Sequence, residues 1–230
     1  MKNTFLITGA NRGIGLELTR QALQSGATVL ATARKINQAN DLVFLKEKYP
    51  DNLEVLSVDV STDSSVEKLS SELKERQVDI LINNAGVFLE PNLPLTQLSL
   101  DKVLETININ TLGAMRVCRA LIKNLSKSPS PKVIQITSLM GSIADNESGG
   151  YYGYRMSKAA LNMFNMSFSK DFPNITSIVV HPGWVQTDMG GSQAPVLPRD
   201  SAKGILAVAG KITKNDSGKF FDFEGDLLPW

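Results

Sequence analysis

The stretch that decides the fold is Thr4-Phe5-Leu6-Ile7-Thr8-Gly9-Ala10-Asn11-Arg12-Gly13-Ile14-Gly15. A short apolar run ends in three glycines spaced GxxxGxG, and an amphipathic segment, Gly13 to Gln24, follows at once. Glycines let backbone amides approach a pyrophosphate, and a helix beginning at the last of them adds free N–H groups and a favourable dipole. The spacing is not the GxGxxG of the common dinucleotide fingerprint. The same glycines could also serve only a tight turn and close packing. As a strand, turn and helix at this point of the chain, they point to a nucleotide site formed by Gly9, Asn11, Arg12, Gly13, Ile14 and Gly15.

Outward from there the pattern repeats. Apolar, β-branched runs at Thr28 to Thr32, Leu53 to Val58, Ile80 to Ile82, Val133 to Thr137 and Thr176 to Val180 read as strands. Ser64 to Arg76, Leu98 to Leu125 and Tyr154 to Phe172 read as helices between them. Strands apolar on both faces and separated by helices predict a parallel sheet covered on both sides, wound by right-handed crossovers into a doubly wound, Rossmann-like α/β fold. No Pro- or Gly-rich linker and no internal repeat divides residues 1–230, so one domain is expected. The stretch 183–198, polar and broken by glycine and proline, is long for a connection and follows a strand directly. Ligands of open α/β sheets bind beyond the strands' carboxyl ends, which makes it a candidate substrate lid.

Composition excludes other classes. The 230 residues carry 24 Lys and Arg against 23 Asp and Glu, a net charge of +1 that offers no electrostatic footprint for nucleic acid or an anionic membrane. The start from Met1 does not read as a signal peptide, and no apolar run approaches membrane-spanning length. The single Cys118 suits a reducing compartment. A soluble, cytoplasmic protein is expected, with no nucleic-acid or membrane partner.

The second strand ends Ala31-Thr32-Ala33-Arg34. An NAD site usually places an acid about 20 residues beyond the glycines to hold the ribose 2′-hydroxyl. Here no carboxylate stands before Asp41, while Arg12 and Arg34 offer two guanidinium groups that could clamp a 2′-phosphate. A pair of solvated arginines is the plain alternative. The missing acid favours NADP(H).

These pieces occur in a fixed order: Thr8 to Gly15, Asp59-Val60, Asn83-Asn84-Ala85-Gly86, Asn110 with Gly113, Ser138 with Gly141, Tyr154 to Lys158, and Pro182-Gly183. In that order the chain is similar, along nearly its whole length, to the single-domain short-chain dehydrogenases/reductases. Among subgroups it resembles the C-factor-like and sniffer-like carbonyl reductases, in His181 to Met189 and in the stretch Gly225 to Trp230. The resemblance implies that Asp59 meets the adenine amino group and that the Val60 backbone supports it. It implies further that Asn84, Ala85 and Gly86 line the adenosine ribose, and that Val185 and Thr187 touch the nicotinamide carboxamide. Asp59 could instead cap a helix entry, and Asn83 and Asn84 could pin neighbouring strands.

Hydride transfer to a carbonyl needs a proton delivered to its oxygen. A free tyrosine, with a pKa near ~10, is a poor shuttle at neutral pH, and a nearby ammonium lowers that value. Tyr154 and Lys158 lie at i, i+4 and share a helix face. Tyr151 and Tyr152 have Arg155 and Met156 at that spacing. Ser138 closes a strand and can hold the developing alkoxide; Thr137 is the competing hydroxyl, strand alternation turns one of the two away, and the resemblance favours Ser138. Asn110, by the resemblance, distorts its helix and holds a water beside the lysine. The catalytic set expected is Asn110, Ser138, Tyr154 and Lys158, with Tyr154 and Lys158 also meeting the cofactor. One departure stands out: Tyr154 lies 16 positions after Ser138, longer than the family's usual interval, and the excess in Ile143 to Gly150 should bulge at the substrate mouth. His181 reads as structural and Cys118 as a buried small hydrophobe.

The expected activity is NADPH-dependent reduction of an aldehyde or ketone. Phe88, Met140, Trp184, Met189 and Trp230 suggest an apolar substrate, though they could be plain core. The alternative is a non-enzymatic dinucleotide-binding sensor or signalling protein, which would have no reason to keep serine, tyrosine and lysine together. Apolar runs at Ile107, Ile109 and Leu112 and at Leu161, Met163 and Phe164 suggest a homodimer.

Overall fold

The computed structural model describes residues 3–90 and 92–230; the chain-start reading at Met1 and Lys2 lies outside them. Seven parallel strands form one sheet: β1 (Thr4–Ile7), β2 (Thr28–Ala33), β3 (Leu53–Ser57), β4 (Ile80–Asn83), β5 (Lys132–Ile136), β6 (Thr176–His181) and β7 (Phe220–Asp222). Their order is β3-β2-β1-β4-β5-β6-β7. The chain steps outward from β1 to β3, then crosses back to lay β4 against the other side of β1. A crevice opens at such a reversal, beyond the carboxyl ends of β1 and β4.

Period-two alternation sorts the strand residues between two cores. Phe5 and Ile7 join Ile82, Ile134 and Val180 on one face, packed with α1 (Gly13–Gln24), α2 (Asn40–Lys48) and α7 (Pro198–Lys211). Leu6, Leu81 and Val133 face the other way, toward α3 (Asp63–Leu73), α5 (Gly113–Leu125) and α6 (Tyr152–Asp171). The doubly wound expectation holds. Cys118 is buried among the second set, where desolvation pushes its thiol up to about 12, so it is an inert hydrophobe.

Several local readings are corrected. Three elements were not foreseen: α2, α7 and β7. α7 starts at Pro198, a residue suited to the first helical turn but read as the end of a loop. Its buried Ser201, Ala202, Ile205, Val208 and Ala209 recur at helical spacing. β7, at three residues, is too short to show a period. The expected continuous helix Leu98 to Leu125 is three pieces: α4 (Leu100–Ile107), a π-turn at Asn108–Leu112, and α5. Of the described residues, none lies in a helix long and apolar enough to cross a membrane.

Candidate active site

The cleft at the switch point is walled by the glycine loop and by β-strand ends. The loop is shaped by close approach. Gly9 has φ +63°, and a Cβ there would lie 2.9 Å from the Ala85 Cα; Gly13 has φ +54°, with Thr187 Cγ2 3.1 Å from its would-be Cβ. A Cβ on Gly15 would overlap the Gly9 carbonyl and the Asn84 amide. Asn84 fixes this geometry, because its Nδ2 donates to the carbonyls of Thr8 and Gly9 at 3.0 Å each. Replacing Gly15 by Ala should therefore destabilise the fold by about 1–3 kcal/mol, read as a lower urea midpoint at unchanged slope.

α1 begins at Gly13 with no side chain capping it and no acid in its first turn, so its leading N–H groups remain available to an anion. The charges around it are arranged unequally. Arg34, exposed at the end of β2, borders the cleft and makes no ion pair among the described residues. Arg12 is instead held by Asp188, Nη1 to Oδ2 2.5 Å. Sequence reading did not single out Asp188. The pair is 65 and 78% exposed, so it contributes about 0–1 kcal/mol and yields readily to a competing phosphate.

Asp59 borders the same cleft and is only partly free. Its Oδ1 accepts the amide (2.9 Å) and hydroxyl (2.6 Å) of Ser61, a local turn rather than a cap on α3. Burial raises its pKa, but the Ser61 bonds and the charges of Arg34 and Arg116 outweigh that, and the carboxyl stays below its ordinary value. Val60 packs against Gly113, and its carbonyl accepts from Arg116 at 3.2 Å. Asn83 pins strands, its Nδ2 reaching Gln135 Oε1 at 3.0 Å.

Deeper in the cleft lie the ionisable groups. Lys158 is 5% exposed and donates from Nζ to the Ile136 carbonyl at 2.9 Å. Its Nζ is 5.6 Å from the centre of the Tyr154 ring, as one helical turn requires. Burial pushes the lysine down to about 8 and the phenol up to about 12, a hydrogen bond with Ser138 pulling the phenol back only in part. The expected lowering of Tyr154 by the ammonium does not appear. Desolvation penalises both charged forms, so the resting pair near neutrality is a protonated phenol beside an ammonium.

The two competing hydroxyls separate cleanly. Thr137 donates to Asn162 Oδ1 at 2.7 Å and is fully engaged, although the residue borders the cleft. The Ser138 hydroxyl accepts the Met140 amide at 3.1 Å and lies near enough to the Tyr154 phenol to pull its pKa back in part. Asn110 stands in the π-turn, 1% exposed, where the widened turn aims it at the loop after β4. Its Oδ1 accepts from the Val87 amide (2.8 Å), and its Nδ2 donates to the Val87 carbonyl and Ser157 Oγ, both at 3.0 Å. Gly86 has no side chain to separate this amide from Lys158: a Cβ there would be 3.3 Å from Asn110 Oδ1 and 3.7 Å from Lys158 Nζ.

After β6 the stretch 183–197 folds over the cleft. Thr187, Asp188 and Met189 border it, and Met189 Sδ is 4.0 Å from the Tyr154 hydroxyl. Val185 is buried, pairs with Val196 and does not border the cleft, whereas Thr187 does. Of the apolar residues expected at the mouth, Phe88 meets the Tyr154 ring edge-on at 5.0 Å. Trp184 turns its indole N–H to the Gly190 carbonyl (2.8 Å), and Trp230 stacks on Phe220 at 5.5 Å. His181 ends β6 with Nδ1 unpartnered, and desolvation holds it down to about 4. Tyr151 adopts a left-handed conformation, φ 50° and ψ 37°, which costs a non-glycine residue about 1–3 kcal/mol.

Comparison with known proteins places this arrangement. The family model described as short chain dehydrogenase matches residues 3–196. The chain is 44% identical over 157 residues to C-signal of Myxococcus xanthus, covering 66% of this chain and 93% of that one. Two solved structures superpose over 100% of both chains at TM-score 0.93 and 32% identity: carbonyl reductase Sniffer of D. melanogaster and the NADPH-bound carbonyl reductase from chicken fatty liver.

Proposed function

Because the chain belongs to the short-chain dehydrogenase family, an oxidoreductase family, we propose that it uses NADPH to reduce an aldehyde or ketone to an alcohol. One observation carries this reading: a protonated Tyr154 and a buried Lys158, one helical turn apart, border the cleft that the glycine loop opens, and the Ser138 hydroxyl acts on the phenol. A dinucleotide fits the rest of that cleft. The Gly9, Gly13 and Gly15 backbone and the uncapped start of α1 suit the pyrophosphate, Asp59, Val60 and Asn84 to Gly86 the adenosine, and Thr187 the carboxamide. Arg34, with Arg12 once Asp188 is displaced, suits a 2′-phosphate.

When bound, the reduced nicotinamide supplies a hydride to the carbonyl carbon. Ser138 holds the carbonyl oxygen, and Tyr154 gives it a proton as negative charge develops there. Lys158 stabilises the phenolate that remains, and Asn110 keeps the loop after β4 seated beside the lysine. A donor for reduction must begin protonated, and burial keeps Tyr154 so. Two electrons and two hydrogens add across C=O, and solvent returns the proton to Tyr154. The stretch 183–198 acts as a lid: Met189 must leave the phenol before a substrate oxygen can reach it. The direct test is a panel of aldehydes and ketones with NADPH oxidation followed by absorbance. Carbonyl-dependent loss of NADPH supports the reading, and silence across the panel refutes it.

The same reading includes a homodimer. Leu112, Met115 and Met163 are exposed on the α5 and α6 side, while Ile109 and Leu161 face the core. Light scattering should give about twice the 25.0 kDa chain mass; a single-chain mass rejects the dimer.

A further inference from the structure

The loop before α6 ends in three consecutive left-handed residues: Gly149 (φ +63°), Gly150 (φ +66°) and Tyr151 (φ 50°). Such a run is costly for the tyrosine and needs an outside restraint. Arg155, one helical turn on, supplies it from three directions. Its Nε donates to the Gly149 carbonyl (3.2 Å), its Nη2 to Ser148 Oγ (3.0 Å) and its Nη1 to the Met140 carbonyl (3.4 Å). The last bond ties the near end of the long Ser138–Tyr154 connection to its far end. Arg155 makes no ion pair among the described residues, so its fork serves geometry rather than charge balance. Gly150 shares the positive φ, and a Cβ there would push aside the Asn92 side chain in the loop after β4.

The restrained residue presents an aromatic surface beside the phenol. The Tyr151 ring lies 5.8 Å from Phe88, centre to centre, and Phe88 lies 5.0 Å from Tyr154. Phe88 is itself fixed by its neighbour Val87, whose amide and carbonyl are both held by Asn110. Phe88 and, behind it, Tyr151 therefore stand as a linked aromatic pair on one side of the Tyr154 ring.

We propose that Arg155 is a positioning residue which, through the Ser148–Tyr151 turn, holds Tyr151 against Phe88 as an aromatic wall that selects aryl carbonyl substrates over short aliphatic ones. This rests on the reading of Tyr154 as proton donor, and the test separates the two. Benzaldehyde and propanal are compared in the native protein, Arg155→Lys and Tyr151→Ala, with NADPH affinity measured by fluorescence. Removing or loosening one aromatic partner weakens binding by about threefold to tenfold. Both variants should lower the benzaldehyde-to-propanal ratio of kcat/KM by about that factor, mostly through KM for benzaldehyde, and leave NADPH affinity near native. Tyr151→Phe, which keeps the ring, should retain the native ratio.

An unchanged ratio in Arg155→Lys, or an equal loss on both substrates, overturns the proposal. Should the native protein reduce neither these aldehydes nor any other carbonyl of the panel, the proton-donor reading fails, and the wall is still tested by titrating benzyl alcohol and 1-propanol into the complex with NADP+. Benzyl alcohol must then bind the native protein better, by a margin that Arg155→Lys reduces; equal binding or an intact margin sinks the wall.

Discussion

Tyr154→Phe should lower carbonyl reduction by about 10²–10⁴, the usual worth of a general acid, while NADPH affinity stays close to native. The ring would still meet Phe88, and only the hydroxyl would be lost. Lys158→Ala should harm more than one property. It removes the ammonium that stabilises the phenolate and opens a cavity where a 5% exposed side chain had reached the Ile136 carbonyl. Tyr151→Phe and Tyr152→Phe should change turnover little, because neither hydroxyl has a lysine one turn on. The pH profile gives an independent check. Desolvation lowers the Lys158 pKa to about 8, so its positive charge is present below that value and lost above it. Reduction should therefore decline as pH rises through about 8, well before the phenol ionises near about 12. Retention of most activity by Tyr154→Phe on a good substrate would assign the proton to another group.

Arg34→Asp should reverse cofactor preference from NADPH to NADH. Arg34 borders the cleft at the end of β2 without a partner carboxylate among the described residues, and a buffer-exposed guanidinium is free to meet a phosphate. An aspartate there repels the 2′-phosphate and can accept from a ribose hydroxyl. Charged hydrogen bonds are worth about 1.5–3 kcal/mol, so the ratio of the two dissociation constants should move by at least about tenfold in titration. Arg12 carries less of the effect, because its release from Asp188 offsets part of the gain. If the native protein binds NADH as tightly as NADPH, the arginine reading fails.

The glycine loop and the pairing of Tyr154 with Lys158 were legible because both are local. Positive φ at Gly9 and Gly13 and the i, i+4 geometry of a helix are properties of a few adjacent residues. The strands were legible because a sheet buried on both faces leaves an apolar run. What misled was also physical: Pro198 both ends loops and begins helices, and only the packing of Ala202 and Ile205 against the first core decides between them. A three-residue β7 exists because β6 offers it an edge.

By itself, then, the sequence determined the parallel sheet, its cover of helices on both faces, and the residue types that follow its strands. Only the tertiary structure decided that the Thr137 hydroxyl is taken, since Asn162 comes from a helix 25 residues away. It also decided that Asp188, 176 residues from Arg12, contests that guanidinium, and that Val185 does not border the cleft. It set the direction of the Tyr154 shift as well, because desolvation depends on everything packed around a group and not on its neighbour one turn along.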